Sequence, residues 1–66
     1  MKPIEYAKQE VAAGRFPMMV IEAGEAGTFW MHDRDFRMLD CKPFLSRERA
    51  EKFRSDVVSK ALESAA

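Results

Sequence analysis

The stretch FPMMVIEAGEAGTFWMHDRDFRML, which runs from Phe16 to Leu39, decides the fold of this chain. A short apolar run follows Pro17 and is too short for an independent helix, so the spacing predicts a strand over Phe16 to Ala23. The glycine-rich segment Ala23 to Gly27 is the strongest turn signal in the chain. Thr28 to His32 is rich in aromatic residues, which favour strands. Together these features predict a β-hairpin.

A second turn follows the hairpin. Asp33 to Asp35 contains turn-forming aspartates and leads into Phe36 to Cys41, which is predicted as a third strand. This turn contains neither Gly nor Asn, so a second interpretation stays open, in which Thr28 to Leu39 forms one long bent strand. Lys42 and Pro43 end the sheet in either case.

Helix signals flank the sheet on both sides. Pro3 suits the first helical position and Gly14 suits a left-handed cap, so Lys2 to Ala13 is predicted as a helix with a narrow apolar stripe. Ser46 is a typical N-cap for a second helix. The apolar stripe of that helix recurs at helical spacing and consists of Ala50, Phe53, Val57, Val58, Ala61 and Leu62.

The predicted fold class is α+β, with the element order α-β-β-β-α. A small antiparallel sheet of two to three strands is flanked by an N-terminal and a C-terminal helix. A chain of 66 residues is long enough for one small core, so residues 1–66 are expected to form a single domain.

The period of two in strands distributes the apolar residues over both faces of the sheet. With a four-residue loop at Gly24 to Gly27, the face predicted to form the core has no full charge and contains Met19, Ile21, Trp30, His32, Phe36 and Met38. The second face is also largely apolar, which is unusual for an antiparallel sheet with one solvated side. Either the two helices cover one face each, or the second face is a protein contact surface.

The contact-surface interpretation names its residues and its candidate partners. A second copy of the chain is one candidate, because isologous homodimers are the commonest assemblies. A different protein is the other, since methionine side chains adapt to varied partners. The predicted partner-binding residues are Met18, Val20, Phe29, Met31, Arg37 and Leu39.

The segment His32 to Asp35 is the one constellation that suggests a metal or acid–base site. Neighbouring side chains diverge in a strand or turn, and one imidazole with two carboxylates does not complete a ligand set. Asp33 and Asp35 are expected to bond nearby backbone amides instead. Cys41 has only His32 as a base, so a small structural cysteine is expected. The sequence therefore predicts no enzyme, no catalytic residue, no metal and no cofactor.

The distribution of charge leaves nucleic-acid binding as an alternative function. The net charge is zero, with 11 basic and 11 acidic residues, which disfavours nonspecific duplex binding. A mild basic bias lies between Arg34 and Arg54, close to Trp30 and Phe36, and bases with aromatic residues are what single-strand binding uses. Acidic residues interleave with these bases, which favours a solvated face. The candidates for nucleic-acid or mixed-charge contact are Arg34, Lys42, Arg47, Arg49 and Lys52.

The sequence lacks the features that would indicate secretion or insertion into a membrane. A single cysteine forms no internal disulfide, so nothing indicates an oxidising compartment. No apolar run approaches about 18 residues, and the N-terminal segment lacks the apolar core of a signal peptide. We expect a cytoplasmic protein with no membrane segment.

In size and layout the chain resembles very small proteins encoded by phages and mobile elements. The features that carry this resemblance are a capped amphipathic helix, the hairpin MMVIEAGEAGTFWM and the segment PFLSRERAEKF. Anti-CRISPR proteins belong to this group, and many of them block a host nuclease complex by contact. The resemblance implies a non-enzymatic inhibitor of a host defence complex. The alternatives are a nucleic-acid-binding accessory protein and a self-associating regulatory subunit.

Overall fold

The computed structural model describes residues 1 to 65. The architecture is α+β, with two helices and a two-stranded antiparallel sheet. No helix within this range is long and apolar enough to cross a bilayer. The elements in chain order are α1 (Pro3–Ala12), β1 (Val20–Ala23), a 3₁₀ turn (Glu25–Gly27), β2 (Phe29–His32) and α2 (Arg47–Ser64).

Helix α1 begins at Pro3 and is followed by Gly14, as its sequence predicts. The Glu5 carboxylate accepts a hydrogen bond of 3.1 Å from the backbone N–H of Lys2, before the first turn. At the other end Gly14 adopts φ 80°, as predicted. The N–H of Gly14 donates to the carbonyl of Val11, and the N–H of Arg15 donates to the carbonyl of Glu10. This is a Schellman motif, which satisfies the last carbonyls of the helix.

The hairpin differs from its predicted register by one residue. Ile21 lies opposite Met31, and Ala23 lies opposite Phe29, so the loop runs from Gly24 to Thr28 and is one residue longer than expected. Ala26 in this loop has φ 55°, a conformation that alanine rarely adopts and that the sequence does not indicate. Because side chains alternate along a strand, the shift moves every residue of β2 to the opposite face.

The predicted faces are therefore wrong for β2 and for the segment after it. Met31 and Leu39, predicted on the partner-binding face, are 0% and 4% exposed and lie in the core. Trp30 and His32, predicted on the core face, lie on the face opposite to Met31, which we call the outer face, with their pairing partners Glu22 and Val20. His32 is nevertheless buried there. Two further residues predicted in the core, Phe36 and Met38, are exposed.

The predicted third strand, Phe36 to Cys41, is not formed. Two isolated bridges to β2 replace it, one between Met38 and His32 and one between Phe44 and Phe29. The bridges lie farther apart on this segment than on β2, so the chain between them loops out. Phe36 has φ 61°, which interrupts an extended backbone. Because β2 ends at His32, the alternative of one long bent strand is not formed either.

Helix α2 begins after Ser46, whose hydroxyl accepts a hydrogen bond of 3.1 Å from the backbone N–H of Arg49. The predicted N-cap is therefore confirmed. The Arg47 guanidinium lies 5.1 Å from the centre of the Phe29 ring. Farther along the helix, Arg54 Nη1 donates to the carbonyl of Met19 at 3.1 Å. These contacts place α2 along the hairpin, from the end with the loop to the opposite end.

One core joins the two helices to the inner face of the hairpin. Helix α1 packs mainly against α2. The two helices therefore do not take one sheet face each, which was the alternative to a contact surface. The buried apolar residues are Tyr6, Ala7, Met19, Met31, Leu39, Ala50, Val57 and Ala61.

Candidate contact surface

The end of the hairpin opposite its loop gathers two irregular segments. Val20 and His32 form the last pair of the sheet at this end. The chain that precedes Val20 and the chain that follows His32 therefore emerge side by side. We call this region, residues 15–19 and 33–38, the open end of the hairpin.

A buried carboxylate ties the end of α1 to the open end. Glu10 is 5% exposed. Nε and Nη2 of Arg15 donate to Glu10 Oε2 at 3.0 and 2.6 Å. Arg34 Nε lies 2.6 Å from Oε1 as an ion pair that lacks the alignment of a hydrogen bond. The hydrogen bonds from Arg15 hold the pKa of Glu10 below its ordinary value; burial opposes this shift, and the charge of Arg34 adds to it.

The hydroxyl of Tyr6 joins the two segments of the open end. It donates to the carbonyl of Met18 at 2.7 Å and accepts from the backbone N–H of Arg34 at 3.1 Å. The Arg34 guanidinium adds a bond of 2.7 Å from Nη2 to the carbonyl of Phe16. Charge-assisted bonds of this kind are stronger than neutral ones. The geometry of the open end is therefore fixed by polar contacts and not by apolar packing alone.

The turn Asp33 to Arg37 is held by its first side chain. The Asp33 carboxylate accepts from the backbone N–H groups of Asp35 and Arg37 at 2.8 and 3.0 Å. For Asp33, the expected bonding to nearby amides is confirmed. The backbone N–H of Phe36 also donates to the carbonyl of Asp33 at 3.1 Å. These bonds hold Phe36 in its left-handed conformation, with a side chain that is 64% exposed.

Four large apolar side chains are exposed on the two segments of the open end. Phe16 and Met18 precede β1, and Phe36 and Met38 follow β2; each is more than half exposed. Phe16 and Met18 also line a groove of about 420 Å³ against α2. We refer to Phe16, Met18, Phe36 and Met38 as the exposed apolar group. Met38 lines a different groove, with residues of α1. Exposed aromatic, methionine and arginine side chains are enriched at contact sites.

The structure distributes the predicted partner-binding residues over several environments. Met18 and Arg37 are exposed at the open end, so a contact role for them stays a prediction. Val20 and Phe29 are partly buried, on opposite faces of the hairpin. Met31 and Leu39 are buried and are not available to a partner while the protein is folded.

The basic residues proposed for nucleic-acid or mixed-charge contact are not brought together. Arg34 lies at the open end and pairs with Glu10. Arg47 lies near the other end, over Phe29. Lys52 pairs with Asp56 at 3.0 Å on the exposed side of α2. Lys42 and Arg49 are exposed, in a loop and on α2, among acidic neighbours.

The residues that could take part in catalysis or metal binding are also separated from one another. His32 is 8% exposed; its Nε2 lies 4.0 Å from a Glu22 carboxylate oxygen, and its Nδ1 has no hydrogen-bond partner in the described part of the chain. Burial, with a smaller effect of Asp40, raises the pKa of the Cys41 thiol, which reduces the reactive thiolate. Within residues 1 to 65, no three His, Cys, Asp or Glu side chains are grouped to hold a metal ion.

Comparison with protein-family models, curated protein sequences and solved structures finds no significant match.

Several residues of this region were not identified from the sequence as site residues. Phe16 carried no signal beyond its place before Pro17. The sequence pattern places Phe36 and Met38 in the core because it predicts a third strand. The i, i+4 spacing of Tyr6 and Glu10 places them on one side of α1, and this spacing was the available signal for the buried polar contacts.

Proposed function

We propose that this protein is non-enzymatic and acts by protein–protein contact through the exposed apolar group at the open end of the hairpin. The exposure and the backbone conformation of Phe36 support this proposal most directly. Its ring is 64% exposed, and its backbone has φ 61°. Glycine or asparagine would suit both conditions better than a bulky aromatic residue.

Folding alone does not account for a phenylalanine at this position. A left-handed backbone costs about 1 to 2 kcal/mol for a residue with a β-carbon, and an exposed ring returns little of this by burial. Strained residues of this kind occur preferentially at functional sites. Contact with a partner would bury the ring and would provide the missing stabilisation.

The surroundings of Phe36 suit recognition as well. The bonds of Asp33 fix the turn before any partner binds, so little conformational entropy is lost on association. Arg37 is exposed in the same turn, and Arg34 is partly exposed beside it. Arginine and aromatic residues are both enriched among the residues that dominate binding energy.

The test uses Phe36→Asn with Leu45→Asn as its matched control. Leu45 is 72% exposed and precedes α2, near the loop end of the hairpin. Phe36→Asn is expected to stabilise the isolated protein by about 1 kcal/mol in chemical denaturation, because asparagine tolerates positive φ. It should also abolish capture of the partner from a host lysate, while Leu45→Asn retains capture. Equal capture by both variants would refute the proposed surface.

The most concrete form of this proposal is a phage-type inhibitor that blocks a host defence nucleoprotein complex. The support is the resemblance in size and layout, together with a neutral net charge that favours occlusion of a protein surface over imitation of nucleic acid. Purified CRISPR effector complexes offer a direct assay of target cleavage. The wild type should inhibit one of them and Phe36→Asn should not. If both proteins inhibited to the same extent, the exposed apolar group would not be the surface that inhibits.

A further inference from the structure

The two segments of the open end are not paired with each other as strands. The antiparallel ladder ends at Val20 and His32, so its regular backbone hydrogen bonds do not continue between the segments. Among the hydrogen bonds within residues 1 to 65, one joins the two segments directly, from the Arg34 guanidinium to the carbonyl of Phe16. The other connection between them runs through helix α1.

Tyr6 of α1 makes this connection with a single oxygen atom. Its hydroxyl is bonded to the carbonyl of Met18 on one segment and to the backbone N–H of Arg34 on the other, at 2.7 and 3.1 Å. Glu10 Oε1 lies farther away, at 3.4 Å. Because Tyr6 is buried and both shorter bonds are partly shielded from solvent, loss of the hydroxyl would leave a carbonyl and an N–H unpaired, which is costly.

The packing of the two helices, and not the hairpin, fixes the position of this oxygen. Tyr6 and Ala7 lie in the core together with Val57 and Ala61 of α2. Helix α1 packs mainly against α2. The ring is therefore held by the core, and its hydroxyl keeps two irregular segments at a fixed separation.

The bond from Arg34 to Tyr6 also supports the strained residue of the site. The turn from Asp33 to Arg37 is closed by bonds within itself, chiefly to the Asp33 carboxylate. In the described part of the chain, the N–H of Arg34 is the one backbone group of this turn that bonds to another element. A conformation such as φ 61° at Phe36 persists only where its surroundings over-determine it. The Tyr6 hydroxyl supplies this support from outside the turn.

We propose that Tyr6 is the positioning residue of the contact surface. Its hydroxyl sets where Phe36 and Met38 lie relative to Phe16 and Met18 before a partner binds. The inference rests on the proposed function for the role of this surface, and it adds the residue that prepares the surface for binding. Tyr6 acts through the two segments, because its own side chain is buried. A surface that is already ordered loses less conformational entropy on association.

Amide hydrogen exchange of the isolated protein, measured by NMR, tests the positioning without any partner. Tyr6→Phe keeps the ring in the core and removes the oxygen. The N–H groups of Phe36 and Arg37 bond to Asp33 and not to Tyr6. In the variant they should nevertheless exchange about tenfold faster relative to the N–H groups of Gly24 and Phe44, which bond near the loop end.

Val57→Ala is the control, because it weakens the core on α2 without removing a hydrogen bond of the open end. It should not accelerate exchange at Phe36 and Arg37 relative to the loop end. Circular dichroism checks that both variants are folded at the temperature of the measurement. If Tyr6→Phe also leaves this ratio unchanged, or if Val57→Ala raises it equally, the positioning role is wrong.

Capture from a host lysate tests whether this position matters for binding. Tyr6→Phe should retain about a tenth or less of the wild-type capture, and Val57→Ala should retain most of it. Equal capture by Tyr6→Phe and the wild type would overturn the positioning role and leave the proposed surface intact. No capture by the wild type would count against the proposed function, and hydrogen exchange would still decide whether Tyr6 positions the open end.

Discussion

At the residue scale, two methionines of similar chemistry have opposite environments. Met31 is fully buried between the hairpin and the helices, whereas Met18 is 52% exposed. Met31→Ala is expected to lower the free energy of unfolding by about 2 to 5 kcal/mol, because it leaves a cavity in the core. Met18→Ala should change it by less than about 0.5 kcal/mol. Urea denaturation of the two variants measures both values, and equal effects would contradict the register of the hairpin.

Glu10 makes stability depend on acid pH. Its pKa is lowered in the folded protein, so its contribution is present above its ordinary pKa of 4.5 and is lost as the pH falls through the folded value. The melting temperature of the wild type should therefore fall on acidification from about pH 5 to about pH 3. Glu10→Gln should be less stable near neutral pH and should lose less on acidification. If the melting temperatures of the two proteins fell equally over this pH range, the Glu10 carboxylate would not be stabilised by Arg15 and Arg34 as proposed.

At the element scale, each helix end follows from local sequence rules, while the sheet does not. Gly14 and Ser46 were predicted as caps because a single residue supplies the conformation or the hydroxyl that a helix end requires. The hairpin register depends on whether Ala26 adopts positive φ, and the sequence does not specify this. The third strand depends on Phe36 in the same way. The faces of the sheet, and with them the candidate site, therefore could not be derived from the pattern alone.

The N-cap of α2 gives a prediction at this scale. Ser46→Ala removes the hydroxyl that accepts from the backbone N–H of Arg49. The loss is expected to be about 1 kcal/mol, within the usual range for such caps. Ser46→Asp retains an acceptor and adds a favourable charge at the helix N-terminus, so it should be at least as stable as the wild type. Thermal denaturation of the three proteins measures the order, and an unaltered Ser46→Ala would contradict the assigned cap.

At the scale of the whole molecule, a small core limits how much surface the fold can hide. A chain of 66 residues, at roughly 0.05 to 0.15 kcal/mol per residue, is stable by only about 3 to 10 kcal/mol. Both helices are used on the inner face of the hairpin, and the apolar residues of the open end remain in solvent. Our proposal is that a partner covers these residues.

Site-specific photo-cross-linking tests this central claim most directly. A photoreactive phenylalanine analogue at Phe36 probes the open end, and the same analogue at Leu45 probes an equally exposed site near the loop end. In host lysate, the probe at position 36 should give one discrete protein adduct. Excess wild-type protein should suppress this adduct, and excess Phe36→Asn protein should not. The probe at position 45 should not give this adduct. No specific adduct at position 36, or the same adduct from both positions, would contradict a contact surface at the open end of the hairpin.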